Sequence, residues 1–187
     1  MLNLIKDLIY ISKRFDKKKE SWDPFFLILS SSLIVSLASL SITKNLSSVS
    51  VGVAVATFLA TFIGAYFFAY LIFIGFTILK ESGDYTKALN AVSLSLSVFS
   101  VGYLISALLS IVPGGIFWNY LMSLLAIIVF ATGLFTSVAL LIKLCSNLFK
   151  SDVITSSIIL IILLVTLYAS ANILVILIVA RFYPLMF

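Results

Sequence analysis

Histidine is absent from the 187 residues, and Cys145 is the sole cysteine. Zinc, copper and haem centres draw on histidine, several cysteines or a carboxylate cluster, so no metal or cofactor is expected. One cysteine builds no disulfide framework and says nothing about redox compartment. Charge is also scarce: 10% of residues are Asp, Glu, Lys or Arg, against roughly a quarter in a soluble domain. The seven acidic residues, Asp7, Asp16, Glu20, Asp23, Glu81, Asp84 and Asp152, all fall outside the long apolar runs. Serine nucleophiles need a base, and the apolar runs hold neither histidine nor carboxylate. The chain is therefore expected not to be an enzyme.

What is present is hydrocarbon. Hydrophobic residues make up 63% of the chain, and the mean hydropathy is +1.26. Its solvent must be mostly lipid. A bilayer core about 30 Å thick takes about 20 apolar residues of helix. Five runs qualify: Pro24 to Thr43, Ser50 to Leu79, Ala88 to Ile111, Gly115 to Ile142, and Val153 to Ala180. The fold class is thus all-α, a polytopic membrane bundle of about five transmembrane helices over residues 23–187. The breaks carry their own chemistry. Asp23 can cap a helix opening at Pro24, and Gly83-Asp84 ends one helix and starts the next. Pro113-Gly114-Gly115 is an uncharged turn fit for a helical hairpin, and Ser151 or Asp152 can cap the fifth span. The first span is expected to be retained rather than cleaved as a signal peptide, since 23 residues precede it and it is too long for one.

Residues 1–22 are a different kind of segment. Leu4, Leu8, Ile11 and Phe15 recur at helical spacing, with Lys6, Lys13, Arg14, Lys17, Lys18 and Lys19 among them. This predicts a basic amphipathic helix on the membrane surface, touching anionic headgroups or packing under the bundle. The net charge of +5 is concentrated there, which argues for a membrane signal and against nucleic-acid binding. Those six residues, with Lys80, Lys87, Lys143 and Lys150, put ten of the twelve basic residues on one side of a five-span topology. Lys44 and Arg181 fall on the other. The positive-inside rule then predicts a cytoplasmic N-terminus and an outside or lumenal C-terminus.

Small residues form stripes. Gly52, Ala56, Ala60 and Gly64 repeat every fourth position of the second span, as do Gly102, Ser106 and Ser110 in the third, and Gly133 with Ser137 in the fourth. Lipid does not drive helices together, so close backbone approach must, and these stripes predict packing faces within the chain or between chains. Within the chain is favoured, and Ala60→Leu is then expected to cost on the order of 1–3 kcal/mol. Asn172 is the deepest strongly polar residue, either interhelical glue or part of a polar path. Ser30, Ser31, Ser32, Ser36, Ser39 and Ser41 crowd the first span, where hydroxyls can bond their own helix or line a cavity. Cys145 reads as a small hydrophobe, with juxtamembrane palmitoylation as the sharper alternative.

Three segments resemble the Yip family of five-span membrane proteins, the Ypt/Rab-interacting proteins. Leu4-Ile5-Lys6-Asp7 through Lys19-Glu20-Ser21-Trp22-Asp23-Pro24 is similar to its basic lead into a proline-opened span. Gly83-Asp84-Tyr85-Thr86-Lys87-Ala88-Leu89-Asn90-Ala91 resembles its polar loop before the third span, and Pro113 to Trp118 with Gly133-Leu134 its turn and fourth span. The resemblance implies the fold, the topology and a membrane-organising or trafficking role. Three functions are carried forward. The first is a non-enzymatic protein that associates with the bilayer and with other membrane proteins or itself. The second is a small transporter or channel with a path lined by serines and Asn172. The third is an accessory subunit of a larger membrane complex.

Overall fold

A computed structural model describes residues 23–42, 48–79, 84–112 and 115–182. The side chains of residues 42, 48, 49, 116 and 168–182 lie outside that description. Five helices run in sequence: α1 (Pro24–Ile42), α2 (Ser48–Ile78), α3 (Tyr85–Ile111), α4 (Ile116–Phe149) and α5 (Val153–Phe182). No strand occurs among the described residues. The expected all-α bundle is therefore present. The predicted N-terminal amphipathic helix over residues 1–22 lies outside the described residues.

The helix starts follow from local chemistry. Pro24 opens α1, where a missing N–H costs nothing, and the Phe25 N–H donates to Asp23 Oδ1 at 3.0 Å. Asp84 caps α3 in extended backbone and accepts from the Thr86 N–H at 3.3 Å. Asp152 caps α5, accepting from the Ile154 N–H at 3.3 Å. In a hairpin topology these three aspartates sit at one end of the bundle, each beside the positive end of a helix dipole. α4 instead starts at Gly115 with no side-chain cap, and it ends at Lys150 in the left-handed region, φ 56°.

Four helices, α1 to α4, are long and apolar enough to cross a membrane. The described side chains of α5 form an apolar stretch, Val153–Leu167, and its backbone continues to Phe182. α1 has 19 residues, or about 28 Å, whereas α4 has 34, or about 51 Å. α4 thus exceeds the hydrocarbon thickness. It runs seven residues past the span end predicted at Ile142, carrying Lys143 on helix rather than in a loop.

α3 is the hub, packed most extensively on α4 and then on α1, and also on α2. α5 attaches more lightly, to α4 and α2. The bulky buried side chains gather at the end that holds the aspartate caps: Ile28, Ile72, Phe76, Phe149 and Leu160, with Cys145. Phe76 and Phe149, both fully buried, stack with centroids 4.2 Å apart and planes at 11°. Toward the other end the buried apolar residues are small: Val35, Ala38, Ala54, Ala107 and Ala126.

Candidate functional site

The interior polar chemistry belongs to serine. Every buried polar side chain among the described residues is a serine. Ser95 and Ser137 face each other across the α3–α4 contact: Ser95 Oγ lies 2.9 Å from the Ser137 carbonyl, and Ser137 Oγ 3.0 Å from the Ser95 carbonyl. The two hydroxyls are themselves 2.9 Å apart. Ser106 donates to the Ala126 carbonyl at 2.9 Å, farther along the same contact. Between these bonds the backbones nearly touch. A Cβ on Gly102 would meet Gly133 Cα at 2.9 Å, and one on Gly133 would meet Gly102 Cα at 3.1 Å. Only glycine on both helices permits this crossing, because backbone cannot swing aside as a side chain can.

α1 is tied in the same way. Ser36 Oγ donates to the Ala54 carbonyl of α2 at 2.8 Å, and Ser39 Oγ lies 3.5 Å from the Tyr103 hydroxyl of α3. Most other interior hydroxyls bond back to their own helix, as Ser100 does to the Ser97 carbonyl. Ser32 differs: its Oγ is buried and has no partner among the described residues. At the α4–α5 turn, Ser146 Oγ donates to the Ser151 carbonyl at 2.8 Å and Ser156 Oγ to Ser151 Oγ at 3.3 Å. No group of three or more metal-capable side chains occurs among the described residues.

This is an arrangement for holding apolar helices close in lipid, where serine and glycine do the work that a water-excluding core does elsewhere. A family model described as the Yip1 domain matches residues 10–183. The chain belongs to that family. It is an integral membrane protein. Comparison with curated proteins and with solved structures returned no match.

The Yip1 domain distributes the sequence-predicted residues unevenly. Gly102, Ser106, Gly133 and Ser137 lie on the α3–α4 contact. Gly52, Ala56, Ala60 and Gly64 do not lie on any contact within the described chain: all four are exposed, and a Cβ on Gly52 or Gly64 would meet nothing within 4 Å. The inward face of α2 carries Ala54, Ala65, Ala69, Ile72 and Phe76 instead. At 100° per residue, that face lies about opposite the stripe. The stripe is thus set apart from the face of α2 described as buried, and Ala60→Leu stands as the test of whether it packs within the chain or between chains. Asn172 lies on the backbone of α5, but its side chain is outside the described residues. Lys6, Lys13, Arg14, Lys17, Lys18 and Lys19 lie outside the described residues. Cys145 is fully buried.

Two features escaped the sequence reading. Ser95 was one serine among several on α3, and only its position opposite Ser137 distinguishes it. Gly75 admits α5: a Cβ there would lie 3.0 Å from Ile159 Cγ2 and 3.7 Å from Leu163 Cδ1.

Proposed function

We propose that this Yip1-domain protein is a non-enzymatic organiser of membrane and membrane-protein assemblies. Its basic segment, Lys6 to Lys19, holds the cytoplasmic face to anionic lipid. Its bundle associates with other membrane proteins or with copies of itself. The N-terminus is cytoplasmic and the C-terminus lies outside or in a lumen. The observation carrying this reading is that the buried polar groups among the described residues are serines whose bonds mostly go to helix carbonyls, within a helix or between two. Polar chemistry of that kind holds helices together rather than reacting with a substrate. Purification in mild detergent, with mass spectrometry of what co-elutes, tests it. Recovery of a reproducible membrane-protein partner or a defined oligomer is expected; a strictly monomeric, partner-free chain refutes it.

One observation favours the runner-up, a small transporter or channel. The buried Ser32 hydroxyl, without a partner among the described residues, sits on α1 beside buried Ser31 and one turn from Ser36. A serine-lined path continuing toward Asn172 would use such a group. Solute or ion flux in reconstituted liposomes that falls with Ser32→Ala would replace the organiser reading with this one.

A further inference from the structure

α1 is short beside its neighbours, and the bonds between helices show where the difference lies. Ser39 of α1 lies level with Tyr103 of α3, and Ser106, one turn farther along α3, lies level with Ala126 of α4. In that register Ile42, the last residue of α1, stands level with Ser106 and Ala126. α4 begins at Ile116, so its residues 116–125 stand beyond the end of α1, about 15 Å of helix. In the other direction Pro24 stands level with Ala88 of α3 and Leu144 of α4. Asp23, Lys87 and Lys143 thus mark one level at the end that carries the aspartate caps.

Charge brackets the short helix. Asp23 precedes it, with Lys17, Lys18 and Lys19 earlier still, and Lys44 follows two residues past Ile42. Residues 43–47 join α1 to α2. Fully extended, five residues reach about 18 Å, whereas rising about 15 Å and returning takes about 30 Å, so the connection does not make up the difference. Residues 88–142 carry no charge, and 116–142 of α4 alone are about 40 Å of helix, against about 28 Å for α1. Both lengths have a free face. α1 exposes Phe26, Ser30, Leu33 and Leu37 at helical spacing, and α4 exposes Phe117, Tyr120, Leu124 and Ile127. The two helices pack on α3 without packing extensively on each other, so they front different lipid. Tilting the bundle as a rigid body shifts both ends of a helix alike, which redistributes the difference without removing it.

We propose that the bundle joins bilayer of two thicknesses, gathering short-chain phospholipid around α1 and long-chain phospholipid around α4. Cations on both sides of α1, Lys44 and Lys17 to Lys19, call for lipid phosphates at either end of a 19-residue span. A thin bilayer brings its two phosphate layers that close without drawing charge into hydrocarbon. At α4 the same thin bilayer would leave Phe117, Tyr120 and Leu124 in water, and a thicker one covers them. This goes beyond the organiser reading. It rests on the spans alone, and a monomeric, partner-free chain leaves it standing.

The test is quenching of tryptophan by brominated lipid, with the full-length protein in vesicles. Trp22→Phe and Trp118→Phe remove the two native tryptophans. A single reporter then goes to one of two comparably exposed sites, Leu37→Trp on α1 (60%) or Ile127→Trp on α4 (65%). The vesicles mix phosphatidylcholines with monounsaturated chains of about 14 and about 22 carbons, one or the other brominated. At Leu37→Trp the short-chain lipid should be favoured about threefold, the preference expected of a mismatch of several ångströms. At Ile127→Trp the long-chain lipid should be favoured. Lys44→Leu with Asn45→Leu lengthens the apolar run of α1 and should move the Leu37→Trp ratio toward that of Ile127→Trp. Phe26→Trp and Phe135→Trp, also exposed, repeat the comparison if either first reporter fails to fold. The same lipid ratio at both helices, or an α1 ratio unmoved by Lys44→Leu with Asn45→Leu, overturns the proposal.

Discussion

Replacing Gly102 by alanine adds one methyl group, and the structure fixes where it goes. The new Cβ meets Gly133 Cα at 2.9 Å, a distance Cβ atoms essentially never adopt. The obstacle is backbone, so α3 and α4 must separate or slide. Overpacking of this kind costs about 1–3 kcal/mol. Separation also stretches the bonds on either side of the crossing, Ser95–Ser137 and Ser106–Ala126, each worth about 0.6 kcal/mol in a membrane. Working against this, alanine is a better helix former than glycine by about 1 kcal/mol. The net expectation is a loss of about 1–3 kcal/mol. Gly64 supplies the internal control, because a Cβ there meets nothing within 4 Å. Gly64→Ala should therefore be neutral or stabilising by up to about 1 kcal/mol. The assay is reversible unfolding in mixed micelles of increasing dodecyl sulfate fraction, with oligomer size followed in parallel. Equal effects from the two substitutions would refute the close crossing. A change in oligomer size confined to Gly64→Ala and Ala60→Leu would give the small-residue stripe of α2 to contacts between chains.

Further outcomes follow from other contacts. A double-mutant cycle of Ser95→Ala and Ser137→Ala should show a coupling of about 0.6 kcal/mol and below about 1.7 in unfolding measurements, and none would mean the hydroxyls do not meet. Phe149→Ala, which empties one side of the fully buried stack with Phe76, should cost about 3–5 kcal/mol by the same assay, whereas Phe117→Ala, at 80% exposure, should cost far less. Lys150→Gly should stabilise by about 1 kcal/mol, because glycine adopts the left-handed helix end that lysine now occupies at φ 56°. Hydrogen bonds from Thr86 hold the carboxyl of Asp84 below its ordinary value, so its contribution to stability is present above the unfolded carboxyl's value and lost as pH falls through the lower folded one. An Asp84→Asn protein should show a smaller acid-induced loss of stability than the wild type in a pH series of melting temperatures.

The all-α class with its five helices, the capping aspartates and the small residues at Gly102, Gly133 and Ser137 were readable from sequence, because each depends on local chemistry or residue size. The facing of α2 was not. In water, a helix announces its inner side by contrast between polar and apolar residues, but α2 is apolar all round. Small size was the remaining signal, and it pointed to Gly52, Ala56, Ala60 and Gly64, while the inward face includes the large side chains of Ile72 and Phe76. The end of α4 was misjudged for a related reason. Lys143 looked like the start of a loop, yet Leu144, Cys145 and Phe149 beyond it are buried against the neighbouring helices, and this packing carries the helix on. Ser95 was unreadable because its importance lies in a partner 42 residues away.

The uneven distribution of bulk gives the bundle a rivet and a fan. Around Phe76 and Phe149, large side chains interlock, and loosening them means opening a cavity for each. Toward the opposite tips, the described contacts are alanines, glycines, single serine bonds and the half-buried rings of Phe99, Tyr103 and Phe130, so separating the helices there opens smaller cavities. When the surrounding lipid thickens, thins or curves, the strain runs to the end where spreading is cheapest. The riveted end keeps its shape, and with it the spacing of the aspartate-capped helix starts that it presents at the membrane surface.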